Sequence, residues 1–375
     1  MTDAAPRGRG RDLTLAVITD APRVAGSEVW LLDVLPRLLD SGQRATVYCS
    51  AAPALDRWAA QLMEKGVAVV RGTGPEALPG LTAGADLRVL QVWDPATYRT
   101  LMPRLKAPRS VVIHDQLDYH YGWPLQGTYR AIYRQTKGKH LSGAEQRLTV
   151  SRWGAAFLQR ELQVPDVQAV PNGVDTDRFS PLPGPEREEL RARLGFRRFT
   201  VLVPGRFAPE KNQLAAVWAA RRTPDIDFVF VGDMDSGGGQ LAQRLAQGRE
   251  HIQFWGRRWD MPDLYRAADV LLQPTLAENQ SLVTLEALAS GLPIVTTPIP
   301  AQRELVQDGQ TGLLVAPQPA LLAQALRALA AHPAQARQLG AAGRAWVLEH
   351  HALARTVEQV ARAFAKAARL GAGRA

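Results

Sequence analysis

Cysteine is nearly absent from this sequence, since Cys49 is the single one in 375 residues. One thiol excludes an intramolecular disulfide and a CxxC metal or redox site, and it fits a reducing compartment. Long apolar runs are missing too, because none approaches the ~18 residues that a membrane-spanning helix needs. The first ten residues are polar and arginine-rich, without the apolar core of a secretion signal. These absences predict a soluble, cytoplasmic protein, with any membrane contact peripheral and at the inner face.

Two familiar phosphate-binding glycine motifs are also missing. The sequence has no GxxxxGK[ST] loop, and no GxGxxG follows its first predicted strand. Asp233 and Asp235 form a DxD pair, a spacing that can bind a divalent metal, but Asp175 and Asp177 have the same spacing. Because three-residue matches arise by chance, we interpret the segment around Asp233 as a flexible turn.

The charge balance is strongly basic, with a formal net charge of +9. Such a balance favours an anionic partner: a nucleotide, a phospholipid surface, a lipid-linked phosphate or nucleic acid. An arginine-rich genome would produce the same balance without any function behind it. The basic residues are spread along the chain and do not form one tract, so we predict no nucleic-acid partner.

Strand and helix patterns alternate along most of the chain, which predicts parallel sheets with helices on both faces. We expect a disordered basic lead over 1–11, an N-terminal domain over 12–172, a linker over 173–198 and a second domain over 199–350. A final amphipathic helix within 351–375 ends the second domain or crosses back to the first. The predicted fold class is α/β, with two Rossmann-like, doubly wound domains facing across a cleft. Ligands should then bind after the strands, at their carboxyl ends.

The segment 276–297, LAENQSLVTLEALASGLPIVTT, predicts a loop, a helix and a buried strand. Ser281 is the expected N-cap, and Gly291 is the expected end of the helix. Two acids remain, Glu278 in the loop and Glu286 inside the helix. One interpretation is a capping acid and a half-exposed helical acid. The other is that both face a cleft and hold hydroxyl groups of a ligand.

Other candidates follow predicted strands. Gly205 allows a sharp turn, and Arg206 and Lys211 place two cations before a helix, where a diphosphate or simply solvent would meet them. Arg257 belongs to a segment, WGRRW, that offers backbone groups or a flat stacking surface to a nucleobase. His114 ends a buried strand and is a candidate hydrogen-bond donor. Cations suit phosphates and carboxylates suit hydroxyls, so together these residues describe a nucleoside-diphosphate-sugar site.

The ordered series of motifs resembles the retaining glycosyltransferases of family four, which have the two-domain GT-B architecture. The resemblance covers nearly the whole chain and is strongest over 170–315. It is carried by Pro171-Asn172-Gly173-Val174-Asp175, Gly205-Arg206 with Lys211-Asn212, Gly256, Tyr265, the E-x7-E pair Glu278 and Glu286, Gly291-Leu292-Pro293, and Thr311-Gly312-Leu313.

The resemblance implies a role for each charged candidate. Arg206 and Lys211 would bind the donor diphosphate and stabilise the leaving group, beside Gly205. Glu286 would hold the ribose hydroxyls, and Glu278 would contact the hydroxyls of the donor sugar. Such enzymes are generally metal-independent, so we expect no metal and no other cofactor.

The resemblance also implies uncharged contacts to the donor. Backbone groups of Asn279, Gln280, Ser281 and Leu282 would reach the sugar and phosphates. His114 would lie beside the sugar, and Gly26 would lie in the first-domain loop that approaches the diphosphate, with Arg257 also on the donor side. Two departures from the family pattern stand out: Ala25 replaces one of two adjacent glycines, and Asn279-Gln280-Ser281 replaces Gly/Phe/Gly-like residues, which alters the floor under the donor sugar.

The function implied is retaining transfer of a hexose from a nucleoside-diphosphate-sugar to a hydroxyl of a glycan, a lipid-linked sugar or a small molecule. Polysaccharide biosynthesis at the surface of an anionic membrane would suit such acceptors. Two alternatives stay open. A sugar-nucleotide epimerase of similar shape would convert the donor alone, and a non-enzymatic module would bind anionic ligands without turnover.

Overall fold

The computed structural model describes residues 13–117, 122 and 124–372. The predicted basic lead, residues 1–11, lies outside the described residues, as does the end of the predicted segment 351–375. Among the described residues, no helix has both the length and the apolar character needed to cross a bilayer.

The strands formed by the described residues are β1 (Thr14–Ile18), β2 (Arg44–Cys49), β3 (Ala68–Arg71), β4 (Leu87–Leu90), β5 (Arg109–Ile113), β6 (Gln146–Thr149), β7 (Val167–Ala169), β8 (Thr200–Pro204), β9 (Asp227–Val231), β10 (Ile252–Phe254), β11 (Val270–Gln273), β12 (Ile294–Thr296) and β13 (Leu313–Leu314).

The helices are α1 (Gly26–Asp40), α2 (Asp56–Glu64), α3 (Leu78–Leu81), α4 (Pro95–Leu101), α5 (Leu125–Tyr133), α6 (Lys139–Leu141), α7 (Arg152–Arg160), α8 (Gly184–Leu194), α9 (Gln213–Ala220), α10 (Gly237–Ala246), α11 (Met261–Ala267), α12 (Leu282–Ala289), α13 (Pro300–Arg303), α14 (Pro319–Ala331), α15 (Pro333–His350) and α16 (Leu353–Ala372). A π-helical turn, Arg134–Gly138, joins α5 to α6.

The strands form two parallel sheets. The first has seven strands in the order β3-β2-β1-β4-β5-β6-β7, and the second has six in the order β10-β9-β8-β11-β12-β13. In each sheet the chain order reverses next to the first strand, between β1 and β4 and between β8 and β11. Such a reversal leaves a crevice at the carboxyl ends of the strands, where doubly wound sheets bind ligands. The predicted α/β class with two Rossmann-like sheets is confirmed.

Both faces of each sheet are covered, which explains why the strands are nearly continuous apolar runs. In β1, Val17 packs into one apolar cluster and Ile18 into another on the opposite face. In β8, Val203 and Leu202 likewise pack into two different apolar clusters on opposite faces of the sheet. The alternation follows from the two-residue period of a strand.

The last helix, α16, lies on the first sheet's domain. Val360 and Phe364 are buried in the same cluster as Leu35 of α1. Gln146 of β6 also donates a hydrogen bond to the backbone oxygen of Ala363 at 2.7 Å. The chain therefore crosses back to the first domain after completing the second, which is one of the two alternatives that the sequence left open.

The segment predicted as a linker, 173–198, needs a correction, because it contains helix α8. Leu190 is buried in the second domain's core. Arg187 and Arg191 form ion pairs with Asp269 at 2.7 and 2.8 Å. The closely spaced prolines indicated a connecting segment, but the helix ends at Gly195 in the left-handed conformation, with φ of 76°, and packs onto the second domain.

Candidate functional site

The start of α12 is the centre of the candidate site. The Ser281 hydroxyl accepts a hydrogen bond from the backbone N–H of Thr284 at 3.2 Å, so the predicted N-cap is confirmed. Gly291, with φ of 70°, follows the helix as predicted. The first N–H groups of a helix have no partner within it and carry partial positive charge. The loop before α12 therefore faces a region suited to anionic or oxygen-rich ligands.

Glu278 lies at the bottom of this region and is only 6% exposed. Its carboxylate accepts hydrogen bonds from Lys211 Nζ at 2.6 Å, Gln273 Nε2 at 3.0 Å and Thr275 Oγ1 at 3.1 Å. Burying a carboxylate is costly unless it is paired and hydrogen-bonded. These three donors meet that requirement, so the interpretation of Glu278 as an ordinary capping acid is wrong.

The loop after β8 carries the other predicted cation, Arg206. Gly205 has φ of 128°, which favours glycine. The backbone oxygen of Gly205 lies close to Gly232, since a Cβ on Gly232 would be only 2.3 Å from that oxygen. Arg206 pairs with Glu210, and its side chain remains 42% exposed. The guanidinium can therefore exchange Glu210 for an incoming phosphate.

A first-domain side chain completes this ion-pair network. Gln116 follows β5 and lies between the two charged partners. When its amide is oriented to suit them, the nitrogen is 3.1 Å from Glu210 Oε1 and the oxygen 3.2 Å from Lys211 Nζ. Sequence analysis missed Gln116. The available signal was its place two residues after His114, at the carboxyl end of a buried strand.

Glu286 occupies the second turn of α12. Burial raises the pKa of its carboxyl to about 7, an effect that the phenol of Tyr265 partly offsets by donating a hydrogen bond at 2.7 Å. The nearby carboxylate of Asp33, from α1, raises the pKa further, and Arg178 lowers it. The group is thus close to half-ionised at neutral pH and accepts hydrogen bonds better as the pH rises.

His114 directly follows β5, as predicted. Its ring lies 5.4 Å from the Trp30 ring, edge to face, and Nε2 makes a hydrogen bond with the amide of Gln91. The pKa of His114 is lowered to about 3, mainly by burial and in part by the positive charge of Lys137, while the carboxylate of Asp115 opposes the shift. The imidazole is therefore neutral at physiological pH and acts as a hydrogen-bonding group.

Gly26, the first residue of α1, faces the start of α12. A Cβ on Gly26 would lie 4.0 Å from the side chain of Leu282. Two helix N-termini, one from each domain, therefore meet across the cleft, and their N–H groups and dipoles favour an anion between them.

The Gly26 loop is supported by a fully buried acid that sequence analysis missed. The Glu28 carboxylate accepts hydrogen bonds from Ser27 Oγ at 2.8 Å, Thr19 Oγ1 at 3.2 Å and the Ala25 N–H at 3.2 Å. Burial raises its pKa to about 7, and these hydrogen bonds lower it. Its signal in the sequence was an acid at the third position of a helix, where it caps the preceding turn.

Two of the residues predicted to lie under the donor sugar direct their side chains elsewhere. Asn279 is 3% exposed and makes its side-chain hydrogen bonds to the first domain. Gln280 accepts one from the Asn172 N–H at 2.5 Å. Their amides fill an interface between the domains, while the expectation that these residues alter the floor under the donor sugar stays a prediction. The proposed backbone contacts stay a prediction.

Arg257 lies one loop away from this cluster. It pairs with Asp233 through Nε at 3.2 Å and Nη2 at 2.7 Å. Asp233 in turn accepts a backbone hydrogen bond from Phe207, beside the Arg206 loop. Within the described ranges, no group of three or more histidine, cysteine or acidic side chains is arranged to hold a metal.

Comparison with known proteins fits this geometry. Residues 24–178 match the family model described as Glycosyltransferase Family 4, and residues 198–332 match the one described as Glycosyl transferases group 1. The chain is 31% identical, over 359 residues, to the GDP-mannose-dependent alpha-(1-6)-phosphatidylinositol monomannoside mannosyltransferase of Mycobacterium tuberculosis. That match covers 87% of this chain and 91% of the relative.

Another relative is the alpha-maltose-1-phosphate synthase of Mycolicibacterium smegmatis, 34% identical over 53% of this chain and 57% of that protein. Among solved structures, HepE of Anabaena in complex with UDP and glucose superposes with a TM-score of 0.78 at 19% identity. The superposition covers 93% of this chain and 98% of the HepE chain. At that identity the likeness establishes the GT-B fold alone.

The chain therefore belongs to glycosyltransferase family 4 and is a GT-B glycosyltransferase of the hexosyltransferase type.

Proposed function

We propose that this enzyme transfers a hexose from a nucleoside-diphosphate-sugar to a hydroxyl acceptor with retention of anomeric configuration. The observation that carries the proposal is the pairing of two cations with carboxylates, Lys211 with Glu278 and Arg206 with Glu210. The N-termini of α1 and α12 also approach each other across the cleft. Two cations and two helix N-termini suit a diphosphate. The buried carboxylate suits the hydroxyls of the attached sugar.

The cations would act on the leaving group. When the bond between the anomeric carbon and the diphosphate breaks, negative charge grows on the leaving oxygen. Lys211 and Arg206 would stabilise that charge in a cleft from which water is excluded. Both are paired with carboxylates in the free enzyme, so the donor diphosphate would replace Glu210 on Arg206 and share Lys211 with Glu278.

Retention follows best from attack on the same face that the diphosphate leaves. Glu278 is already held by a cation and two neutral donors, which makes it a poor nucleophile and a good hydroxyl acceptor. A phosphate oxygen of the leaving group would then take the proton of the acceptor hydroxyl. Because Lys211 and Arg206 supply positive charge directly, we propose that the reaction is independent of metal ions.

The donor base and sugar are proposed only as classes. The Mycobacterium tuberculosis relative is named for GDP-mannose, while a partial relative from Escherichia coli, 32% identical over 40% of this chain, is named for UDP-Gal. The full-length match makes GDP-mannose the first donor to try. The same relative's name also makes a lipid-linked glycan the first acceptor class to test.

A donor panel tests the proposed function. The full chain is incubated with UDP-, GDP- and ADP-hexoses in buffer containing a chelator, and sugar release or transfer is measured together with the shift in melting temperature. We expect one nucleotide class to be consumed and to raise the melting temperature. Consumption that requires added metal would contradict metal independence. Formation of an epimer of the donor would favour the epimerase, and no consumption or shift with any donor would contradict the proposal.

We also propose peripheral contact with an anionic membrane through α5 and the turn that follows it. Leu125 and Ile132 are seven residues apart on one helical face and are 64% and 57% exposed, and Lys139 is exposed further along. Cosedimentation with vesicles should require phosphatidylglycerol and should be lost in Ile132→Asp. Equal binding to neutral phosphatidylcholine vesicles, or unchanged binding of the variant, would contradict this contact.

A further inference from the structure

The side chain of Asn279 leaves its own domain and enters a socket in the other one. Its Nδ2 donates hydrogen bonds to Thr149 Oγ1 at 3.0 Å and to the backbone oxygen of Ile113 at 3.3 Å. Its Oδ1 accepts a hydrogen bond from Ser151 Oγ at 2.6 Å. All three partners belong to the first domain, and Asn279 itself is almost fully buried. A buried amide with this many partners has a strongly fixed position.

The socket is rigid on the first-domain side. Thr149 Oγ1 accepts the hydrogen bond from Asn279 and itself donates one to the Ile113 oxygen at 2.9 Å, which ties the ends of β5 and β6 together. Ser151 is the N-cap of α7, and its hydroxyl also accepts from the N–H of Gly154 at 2.8 Å. The groups that hold Asn279 are therefore fixed by a sheet and a helix start.

The socket also has room made for this side chain. A Cβ on Gly154 would lie 2.3 Å from Asn279 Oδ1, a distance that no real contact tolerates. Gly154 is in the first turn of α7 and does not have a positive φ, so its backbone conformation does not itself require glycine. The missing side chain at 154 is explained by the amide that fills its place.

Chain connectivity gives this contact its chemical meaning. Asn279 directly follows Glu278, and Ile113 directly precedes His114. One hydrogen-bonded link therefore joins the segment of Glu278, which the proposed function assigns to the sugar hydroxyls, to the segment of His114, which the family resemblance places beside the sugar. A change in the distance between the domains at this point changes the distance between those two groups.

We propose that Asn279 is a positioning residue that sets the separation of Glu278 from His114 and so couples closure of the cleft to sugar transfer. This inference depends on the proposed function for the role of Glu278 and on the family resemblance for that of His114. Asn279 acts through its neighbours, since its own amide is fully engaged in the interface. The family departure at this position thus has a structural purpose in this chain.

The kinetic test compares Asn279→Ala with Thr149→Val, a change of similar shape that removes one partner of the amide together with that hydroxyl's own hydrogen bond to the Ile113 oxygen. Misplacing a reacting group by about 1 Å costs about 10²-fold in rate. We expect kcat to fall about 10²-fold in Asn279→Ala, while the Kd for the nucleoside diphosphate changes less than about threefold because its cations lie within the second domain. Thr149→Val should lower kcat less, and adding it to Asn279→Ala should cause no further loss.

Two kinetic results would overturn the inference. One is a kcat within twofold of wild type in Asn279→Ala. The other is a parallel loss of kcat, nucleotide affinity and melting temperature, with additive effects of the two substitutions, since that pattern indicates only general destabilisation.

A second readout needs no turnover, and it separates this inference from the proposed function. Spin labels on cysteines introduced at exposed Glu64 of the first domain and exposed Gln247 of the second report the distance between the domains. We expect a narrow distance distribution in the otherwise unchanged protein and a broadened or shifted one with Asn279→Ala. Identical distributions would overturn the positioning role, whether or not any nucleotide-sugar is consumed. Failure of the donor panel alone would overturn the proposed function and leave the interdomain contact standing.

Discussion

The two domains contribute different chemistry to one site. The second domain supplies two ion pairs, Lys211 with Glu278 and Arg206 with Glu210. The first domain meets them with the uncharged groups of Gln116 and the Gly26 loop. The difference indicates that the second domain has the charge to hold an anionic donor by itself, whereas the first domain adds neutral hydrogen bonds and closes the cleft.

Two buried groups, His114 of the first domain and Glu286 of the second, differ in the direction of their pKa shifts. Burial acts on His114 and Glu286 alike, yet it lowers the pKa of the imidazole to about 3 and raises that of the carboxyl to about 7. Both shifts favour the neutral form. Of these two groups, Glu286 is the one left with a pKa near neutrality, so its charge changes around pH 7 while that of His114 does not.

The largest expected effect follows from removing a second-domain cation. Arg206→Ala should lower turnover by roughly 10²–10³, the typical loss for one donor that stabilises developing charge. Arg198→Ala is a matched control, because Arg198 is similarly exposed, at 47% against 42%, and pairs with Asp227 at the opposite end of β8. Steady-state kinetics on both variants measure the effect. Wild-type turnover in Arg206→Ala, or equal losses in both variants, would remove the diphosphate assignment.

A first-domain acid, Glu28, should contribute to a different property, the pH dependence of stability. The pKa of Glu28 is raised in the folded protein from 4.5 to about 7. Folding therefore favours the protonated form of Glu28. The resulting contribution to the free energy of unfolding is fully present below about pH 4.5 and is lost as the pH rises through about 7. Relative to Glu28→Gln, the unfolding free energy of wild type should fall by about 3 kcal/mol between pH 4 and pH 8. Urea unfolding across that range measures it, and a difference independent of pH would contradict the burial argument.

The smallest effect concerns the acid limb of the pH–rate profile. If ionised Glu286 accepts the ribose hydroxyls, kcat/KM should fall about tenfold per pH unit below about pH 7. Tyr265→Phe should move that limb to higher pH, because the phenol hydrogen bond lowers the pKa of Glu286. His114→Asn should leave the limb in place, since His114 is already neutral there. If the acid limb disappears with His114→Asn and survives Glu286→Gln, the ionising group belongs to the first domain, which contradicts its assignment to Glu286.

Local features of the site were predictable from the sequence. The cap at Ser281, the helix that it begins and the strand before Arg206 depend on neighbours a few residues away, and periodicity and capping chemistry encode such features directly. The charged candidates Lys211 and Glu278 followed from their places after strands. The structure brings these two within hydrogen-bonding distance although 67 residues separate them.

Two features that sequence reasoning missed lie at the interface between the domains. Asn279 meets Ile113 across 166 residues of chain, and no local pattern records that meeting. Gln116 is missed for the same reason, because an amide between two charges looks ordinary in a sequence. Helix α8 was hidden by the prolines around it, which indicate a break in structure whether or not a helix begins between them.

The central claim is that the second-domain cations bind a diphosphate. Its most direct test is a calorimetric titration of UDP, GDP and ADP into wild type, Arg206→Ala and Arg198→Ala, with a chelator present. The account predicts that one nucleoside diphosphate binds wild type and Arg198→Ala equally and binds Arg206→Ala at least about tenfold more weakly, a difference of about 1.4 kcal/mol. Equal affinity for all three proteins, or no binding by any of them, would contradict it.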